Sequence, residues 1–323
     1  MPVTITAGIT FSGGGLTMVG APVIATAGWY AGGTPSTSLV DRITFATDTA
    51  TASVRGPLSS ARYQAAGAGT FNDGWIAGGP GGTGCTVDRI TYATDTATAS
   101  VRGPLPLPRG ALAGVSDNTT YGWYGGGSDT GVWSSSVQRI TYATDTSTAT
   151  TKGPLSFATF FLSATGNTTY GWFAGGRLGP PSYLQISSVC RITYATDTAT
   201  ASSRGPLTVS VEQTGAIGTT TYGWFGGGTF GYPVDTSIVS RVTYATDTAT
   251  SSSRGPLSLA RQVGVSTSGN DNYGWFGGGE SGAGFTLQSI IDRIDYATDT
   301  ATASVRGPLS TARKSPSGVS GAQ

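Results

Sequence analysis

Short alternating stretches of apolar and polar residues follow one another along this chain of 323 residues. Val, Ile, Thr, Tyr and Trp are frequent in these stretches, and clusters of Gly, Pro, Asp and Ser separate them. No stretch shows the apolar period of 3.6 residues that an amphipathic helix requires. Residues of these types suit pleated, half-buried strands. The pattern therefore predicts an all-β protein built from many short strands.

The pattern of strands and turns occurs six times. Each copy contains Arg-Ile-Thr-Tyr-Ala-Thr-Asp-Thr or a close variant, and the Leu of a Gly-Pro-Leu lies 16 residues after its Arg. A Gly-Trp pair precedes each of these segments. A period of 47 to 52 residues is typical of β-propeller blades. The repeated arginines are Arg42, Arg89, Arg139, Arg191, Arg241 and Arg293.

Nearly all variation in repeat length lies in one connection of each repeat. The interval from the last glycine after the tryptophan to the next repeated Arg is 9 residues after Gly33 and 15 residues after Gly176. The other intervals keep a constant or nearly constant length. Because loops tolerate changes in length and often carry binding residues, these connections form the predicted functional face.

Each repeat is predicted to form four antiparallel strands, so that the chain forms a six-bladed β-propeller. In the second repeat the predicted strands span residues 62–70, 74–77, 87–94 and 97–102. Two segments, 16–27 and 310–323, compete for the first strand of the blade that closes the ring. The predicted units are an N-terminal arm or extra strand at 1–15, blades at about 16–60, 61–106, 107–156, 157–208, 209–258 and 259–310, and a closing C-terminal strand at 311–323.

Three features recur in the same order in every repeat. In the fifth copy they are Gly-Trp-Phe-Gly-Gly-Gly at residues 223–228, the turn from Tyr244 to Asp247, and Gly-Pro-Leu at 255–257. They resemble the Kelch repeat, which has an aromatic strand ending in a glycine doublet, a variable loop and a Tyr-Asp turn. A short run of small residues stands where Kelch repeats have a tryptophan after this turn. The resemblance implies a Kelch-like propeller.

The nearly identical Ala-Thr-Asp-Thr-Ala-Thr-Ala-Ser-Val-Arg-Gly-Pro-Leu runs are also similar to repeat proteins of marine bacteriophages, particularly cyanophages. Those proteins are described as virion or tail-fibre components. The resemblance implies a virion protein that is assembled in the host cytoplasm. Otherwise we expect an extracellular or cell-surface location. The first twenty residues lack a basic start with a continuous apolar stretch, so no secretory signal is predicted.

The composition offers little catalytic chemistry. The chain has no His and only two Glu, Glu212 and Glu280, which excludes Ser-His-Asp triads and most zinc sites. No metal and no cofactor are therefore expected. The net charge is +1 without any run of one sign, so we expect no nucleic-acid partner. No apolar segment is long enough for membrane insertion.

Charged residues that recur in every repeat are expected to be structural. The repeated Asp is predicted to form the turn after the third strand rather than a metal-binding ring. The repeated Arg and Lys residues are expected to pair along the blade edges, where an exposed pair contributes ~0.2–1 kcal/mol. The Asp residues are Asp48, Asp95, Asp145, Asp197, Asp247 and Asp299.

Unrepeated aromatic and polar residues in the variable connections are the candidate ligand-binding residues. Aromatic rings beside amides and carboxylates suit sugar stacking or a protein epitope. In the alternative interpretation, the same rings cover the edges of their own blades. The candidates are Trp133, Tyr183, Phe230, Tyr232, Phe285, Asp129, Arg177, Asp235 and Glu280.

We therefore expect a non-enzymatic structural or binding propeller, such as a virion tail fibre, spike or decoration protein. Its variable loops are expected to contact a glycan or a protein. One alternative is a bacterial lectin-like or protein-interaction propeller with no virion role. Another is a glycan-active enzyme with an unrecognised acidic site. The expected partners are other virion or assembly subunits, copies of the same chain, and a cell-surface glycan or protein receptor.

Overall fold

The computed structural model describes residues 9–12, 15–18, 25–129, 131–231, 234–262 and 266–321. Six sheets of four antiparallel strands form the blades of a β-propeller. Within each of blades 2 to 6, the strands follow chain order from the innermost to the outermost. The prediction of an all-β, six-bladed propeller with four antiparallel strands per blade is confirmed.

The strand bounds are similar in all blades. From innermost to outermost they are Ser317–Ser320, Ala27–Ala31, Val40–Thr44 and Ser53–Arg55 in blade 1; Ala66–Gly69, Asp73–Ala77, Val87–Thr91 and Ser100–Val101 in blade 2; Ala113–Ser116, Tyr121–Gly125, Val137–Thr141 and Thr150–Lys152 in blade 3; Ser163–Gly166, Tyr170–Ala174, Val189–Thr193 and Ser202–Arg204 in blade 4; Gly215–Gly218, Tyr222–Gly226, Val239–Thr243 and Ser252–Arg254 in blade 5; and Ser266–Gly269, Tyr273–Gly277, Ile291–Asp295 and Ser304–Arg306 in blade 6.

The remaining elements are short. The third strand of blade 2 ends at Thr91 instead of residue 94, because Tyr92–Thr94 forms a 3-10 turn. Equivalent turns are Phe45–Thr47, Tyr142–Thr144, Tyr194–Thr196, Tyr244–Thr246 and Tyr296–Thr298, and Gly81–Thr83 is a further one. Two-stranded hairpins join Ile9–Ser12 to Gly15–Met18, Ser128–Asp129 to Val132–Trp133, and Glu280–Ser281 to Thr286–Leu287. A further two-stranded antiparallel sheet joins Thr159–Phe160 to Arg177–Leu178, which lie on either side of the two inner strands of blade 4.

The C-terminal strand closes the ring. Ser317–Ser320 pairs antiparallel with Ala27–Ala31, and Val319 lies opposite Trp29. The last strand of the chain is therefore the innermost strand of blade 1. Of the competing segment 16–27, residues 16–18 instead belong to the hairpin with Ile9–Ser12.

Repeated side chains join each blade to the next. Trp75 Nε1 donates to the carboxylate of Asp145 in blade 3 at 2.8 Å, and Arg89 and Arg102 form ion pairs with the same carboxylate at 3.2 and 3.4 Å. The Trp75 ring stacks on Tyr142, with centroids 4.0 Å apart. The other Trp–Asp bonds, of 2.8–2.9 Å, join Trp29 to Asp95, Trp123 to Asp197, Trp172 to Asp247, Trp224 to Asp299 and Trp275 to Asp48.

The repeated Asp has a wider role than the predicted turn. The side chain of Asp145 is 6% exposed and that of Arg102 is 18% exposed, so these ion pairs are not the exposed edge pairs that we expected. Removing one partner of a largely buried pair costs roughly 3–5 kcal/mol, well above the value for surface pairs. The Asp side chains therefore stabilise the contacts between blades.

A second charged pair lies inside three of the blades. Arg62 and Asp88 have fully buried side chains and are 2.9 Å apart. In blade 4, Thr159 stands at the position of Arg62 and Cys190 at the position of Asp88, so this blade lacks both charges of the pair. The other two pairs are Arg261 with Asp292 at 2.7 Å and Arg313 with Asp41 at 2.8 Å.

Blade 3 keeps the arginine of this pair but lacks the carboxylate. Gln138 stands at the Asp position, and Arg109 donates to the carbonyl oxygens of Gly126 and Ser136, both at 2.7 Å. Burial lowers the pKa of Arg109 to about 10. The amide atoms of Gln138 are buried without a hydrogen-bond partner in the described structure. Blade 3 therefore contains a buried cation that is satisfied by carbonyl groups alone.

Glycines allow the backbones of neighbouring blades to approach each other closely, both at the outer strands and near the axis. A Cβ at Gly103, in the Gly-Pro-Leu segment, would lie 2.0 Å from the carbonyl oxygen of Ser147 in the next blade. Near the axis, a Cβ at Gly67 would lie 2.1 Å from the carbonyl oxygen of Gly318. The doublet Gly126-Gly127 turns the chain into the variable connection with φ values of 69° and 89°.

Candidate functional site on the loop face

The variable connections lie at one end of the blades. Each one runs from the end of a second strand to the start of a third. In blade 2, Ala77 pairs with both Ala66 and Val87, so the innermost strand begins at this same end. We name this end the loop face, and its described residues are 32–39, 78–86, 126–129, 131–136, 175–188, 227–231, 234–238 and 278–290.

The longer loops, in blades 3 to 6, expose large apolar side chains. Val132 is 70% exposed, Leu184 64%, Tyr183 53%, Phe230 51% and Phe285 43%. The shorter connections of blades 1 and 2 expose no large apolar side chain in the described structure. Exposed apolar side chains that are grouped on one face indicate an interaction surface.

The innermost strands surround an axial cavity of about 170 Å³. Its wall includes Gly and Ala residues of blades 1 to 5, such as Gly67, Gly114, Ala164 and Ala216, and Thr267 of blade 6. Among the described residues, no Asp, Glu, Lys or Arg lines the cavity. The cavity is therefore uncharged, with carbonyl, hydroxyl and amide groups as its polar atoms.

Backbone hydrogen bonds at the loop-face end of this cavity join blades 1 to 5 to one another. Ala111 N donates to Gln64 O at 2.8 Å, Phe161 N to Ala111 O at 2.9 Å, and Gln213 N to Phe161 O at 2.8 Å. Gln64 N donates to Ser315 O at 3.3 Å. These five residues have φ between 52° and 62°, which is uncommon outside glycine. These bonds fix the positions of the five residues, all of which line the cavity.

A row of four aromatic rings runs from the cavity to the exposed part of the loop face. The Phe161 ring lines the cavity, and its centroid is 4.4 Å from that of Phe160. Trp133 lies edge-to-face with Phe160 at 4.9 Å and with Tyr183 at 5.7 Å. Such offset contacts are the preferred geometry of aromatic pairs. We name Phe161, Phe160, Trp133 and Tyr183 the aromatic row.

Polar side chains lie beside the aromatic row. The guanidinium of Arg177 lies 5.9 Å from the Phe160 ring centroid and pairs with Glu212, whose side chain is fully buried. Gln185 donates to Glu212 Oε1 at 3.1 Å and accepts from Gly231 N at 2.6 Å. These contacts join the loop of blade 4 to blade 5, so the row has a fixed polar border.

The loops of blades 5 and 6 are joined in a similar way. Asp235 accepts from Gly282 N at 2.8 Å. Burial and the nearby carboxylate of Glu280 raise the pKa of Asp235, although the hydrogen bond from Gly282 opposes this. Glu280 is 3% exposed and pairs with Lys314 of the closing segment at 2.7 Å. The loop face is therefore held together across neighbouring blades.

The structure brings some of the predicted site residues together. Trp133 and Tyr183 are in contact, and Arg177 lies beside the same row. Phe230 and Phe285 are exposed on separate loops. The remaining candidates are Asp235 and Glu280 in the contacts between loops, Asp129 in the hairpin with Val132–Trp133, and Tyr232, which lies outside the described residues.

Four residues near the axis were missed by the sequence analysis. Phe160 and Phe161 extend the aromatic row, and Gln64 and Gln213 line the cavity. All four belong to the connection after Gly-Pro-Leu, which has a nearly constant length. In the sequence, these residues differ from the residues at equivalent positions of the other repeats, although the length of the segment hardly changes. This difference in side chain could have identified them.

Most acidic side chains have structural partners. Of the 17 acidic residues, 12 form ion pairs, including all six repeated Asp residues. Within the described part of the chain, no three Cys, Asp or Glu residues are grouped so that they could hold a metal ion. No helix in that part is long and apolar enough to cross a membrane.

Neither the models of known protein families nor the curated protein sequences give a match to this chain. We therefore infer the function from the geometry of the loop face.

Proposed function

We propose that this propeller is a non-enzymatic binding protein whose loop face recognises a cell-surface glycan. The observation that carries the proposal is the aromatic row, in which the exposed Tyr183 continues through Trp133 and Phe160 to Phe161 at the axial cavity. Sugar rings present C–H faces that pack on aromatic rings and hydroxyl groups that bond to amides and carbonyls. A row of rings with a polar border suits a chain of sugar residues.

The separation of charge and aromatic surface supports a binding role. The repeated charges pair within the framework, as Asp145 does with Arg89 and Arg102. Exposed aromatic rings such as Phe230 and Phe285 lie on the loops that differ between repeats. Binding sites are commonly placed on variable loops that a rigid scaffold positions. With 12 of 17 acids in ion pairs, few remain for acid–base catalysis.

We further propose that the protein is a virion component with Kelch-like blades. The support is the resemblance of its repeats to those of Kelch proteins and of tail-fibre proteins of marine bacteriophages. In this setting other virion subunits, including copies of the same chain, are its assembly partners, and the loop face contacts the host surface. A lectin-like bacterial propeller with no virion role would use the same glycan-binding face.

A protein partner is the second candidate for the loop face. It is favoured by the exposed aliphatic side chains of Val132, Leu184 and Val234, which are 57–70% exposed and unsuited to sugar hydroxyls. Protein interfaces bury such side chains at their centre. This candidate predicts binding that survives chemical modification of glycans.

Binding of fluorescently labelled protein to intact candidate host cells, before and after periodate oxidation of surface glycans, tests the proposal. We expect saturable binding that oxidation abolishes, because periodate cleaves the vicinal diols of sugar rings. Saturable binding that oxidation leaves unchanged would instead support the protein partner. Absence of binding to every candidate cell would contradict a receptor-binding role.

A further inference from the structure

We infer that the axial cavity is a binding site for one uncharged sugar residue, the end of a glycan that lies along the aromatic row. This inference rests on the proposed function, because the row supplies the path to the cavity. Beyond the proposed function, the inference specifies that the glycan ends in the cavity and that its terminal residue is uncharged.

The cavity wall selects against charge. Its described lining has no acidic or basic side chain. Moving an ionised carboxylate into such a wall without a partner carries a large desolvation penalty. A neutral sugar carries no such penalty, since its hydroxyl groups can bond to carbonyls and amides. The wall therefore favours neutral sugars over uronic and sialic acids.

The polar groups at the mouth are placed on opposite sides of the axis. Gln64 belongs to blade 2 and Gln213 to blade 5, three blades apart in the ring of six, and both line the cavity. The Oε1 atom of Gln213 already accepts from Thr229 Oγ1 at 3.4 Å, which leaves its NH₂ group to donate to a sugar hydroxyl. The amide of Gln64 can act as donor or acceptor. Backbone hydrogen bonds to the neighbouring blades hold both residues at the mouth, which reduces the ordering required on binding.

Apolar groups in the cavity complement the C–H faces of a sugar. The ring of Phe161 lies at the mouth, and the methyl groups of Ala164 and Ala216 belong to the wall. The contact between Phe161 and Phe160 makes this wall continuous with the rest of the aromatic row. A glycan bound on Trp133 and Tyr183 thus has an apolar path to the cavity.

Two kinds of variant separate recognition from folding. Gln64→Ala and Gln213→Ala remove the amides, and alanine is accepted at this backbone position because Ala111 occupies the equivalent place with a φ of 55°. Ala164→Leu fills the cavity at the level where blade 6 already carries the branched Thr267. Val101→Ser, on an outermost strand, is the control, because Ser203 occupies the equivalent position in blade 4.

Saturation-transfer NMR with the methyl glycosides of galactose, glucose, mannose and N-acetylglucosamine, and with glucuronic and N-acetylneuraminic acids, tests the inference. We expect at least one neutral glycoside to bind and both acids to fail. Each glutamine variant should weaken binding about tenfold, the loss of roughly one hydrogen bond. Ala164→Leu should abolish binding and Val101→Ser should leave it unchanged. The thermal midpoint and the circular dichroism spectrum of each variant show whether the propeller is still folded when binding is lost.

The same variants distinguish failure of the cavity from failure of the proposed function. No binding of any neutral glycoside, equal binding of the acids, or unchanged binding by Ala164→Leu would each overturn the inference. If cell binding is sensitive to periodate but Ala164→Leu binds cells normally, the glycan function stands and the cavity site is wrong. If neutral glycosides bind as expected but cells do not, the cavity site stands and the cell-surface role is wrong.

Discussion

The indole nitrogen of Trp75 donates a 2.8 Å hydrogen bond to the carboxylate of Asp145, which belongs to the next blade. The same contact recurs around the ring, and the bond from Trp275 to Asp48 joins blade 6 to blade 1. The propeller is therefore closed by side chains as well as by the C-terminal strand. Each of these carboxylates also pairs with two basic side chains of the preceding blade.

Replacement of Asp145 tests this contact. Asp145→Ala leaves a buried indole N–H and two basic groups without their carboxylate, so we expect the free energy of unfolding to fall by about 3–5 kcal/mol. Denaturant unfolding monitored by tryptophan fluorescence measures the change. Asp271, which is exposed, is the control, and Asp271→Ala should change stability by less than about 0.5 kcal/mol. Similar losses in the two variants would contradict the role of Asp145.

The repeated glycine before proline is the second test of contacts between blades. In Gly103→Ala the added methyl group would lie 2.0 Å from Ser147 O, so the adjacent blades must move apart. We expect a loss of about 3 kcal/mol or more in the free energy of unfolding. Gly82→Ala is the matched control, because no atom lies within 4 Å of its added methyl group. Equal thermal midpoints for the two variants would show that this close approach has no energetic role.

The unpaired arginine of blade 3 predicts a stabilising substitution. Gln138→Asp places a carboxylate where blade 2 has Asp88, opposite the buried Arg109, and should raise the free energy of unfolding by about 1–3 kcal/mol. The reciprocal change, Asp88→Gln, should destabilise blade 2, because Arg62 then loses its ion pair. Denaturation midpoints of both variants provide the measurement. A destabilised Gln138→Asp protein would mean that carbonyl oxygens alone satisfy Arg109 better than a carboxylate does.

Buried tyrosines predict a loss of stability at alkaline pH. Burial raises their pKa values in the folded protein above the unfolded value of about 10. The stabilisation is fully present below pH about 10 and falls as pH rises above it, by up to about 1.4 kcal/mol per pH unit for each tyrosine. The seven residues are Tyr30, Tyr92, Tyr124, Tyr142, Tyr194, Tyr244 and Tyr296.

Tyrosinate absorbance and circular dichroism followed together during an alkaline titration test this prediction. The tyrosinate absorbance of the seven buried tyrosines should rise in one cooperative step that coincides with loss of the β-sheet signal. The prediction would be contradicted if all 14 tyrosines ionised gradually around pH 10, the ordinary pKa of tyrosine being about 10, while the β-sheet signal persisted.

The fold was predictable because the repeat makes the same local pattern visible six times. The constant spacing from Arg89 to Leu105 and its equivalents marks the outer half of each blade. The partner of the repeated Asp was not predictable, since Trp75 and Asp145 are 70 residues apart in the chain and meet only when blades pack. The Tyr92–Thr94 turn was assigned to a strand because Tyr and Thr are enriched in strands, and tertiary packing overrides this preference here.

The candidate site was only partly predictable. Trp133 and Tyr183 lie in loops whose lengths differ between repeats, so variation in length pointed to them. Phe160 and Phe161 lie in a segment of nearly constant length, and only their departure from the other repeats marks them. The contact of Phe160 with Trp133 depends on the packing of two adjacent blades, which composition and spacing do not specify.

The most direct test of glycan recognition compares two single variants in the cell-binding measurement. Tyr183→Asn removes the exposed ring and keeps a residue that tolerates the φ of 48° at this position, while Val101→Ser changes an exposed side chain away from the loop face. We predict that Tyr183→Asn weakens periodate-sensitive binding about tenfold and that Val101→Ser binds like the unaltered protein. Unchanged binding by Tyr183→Asn, or an equal loss in Val101→Ser, would contradict recognition through the aromatic row.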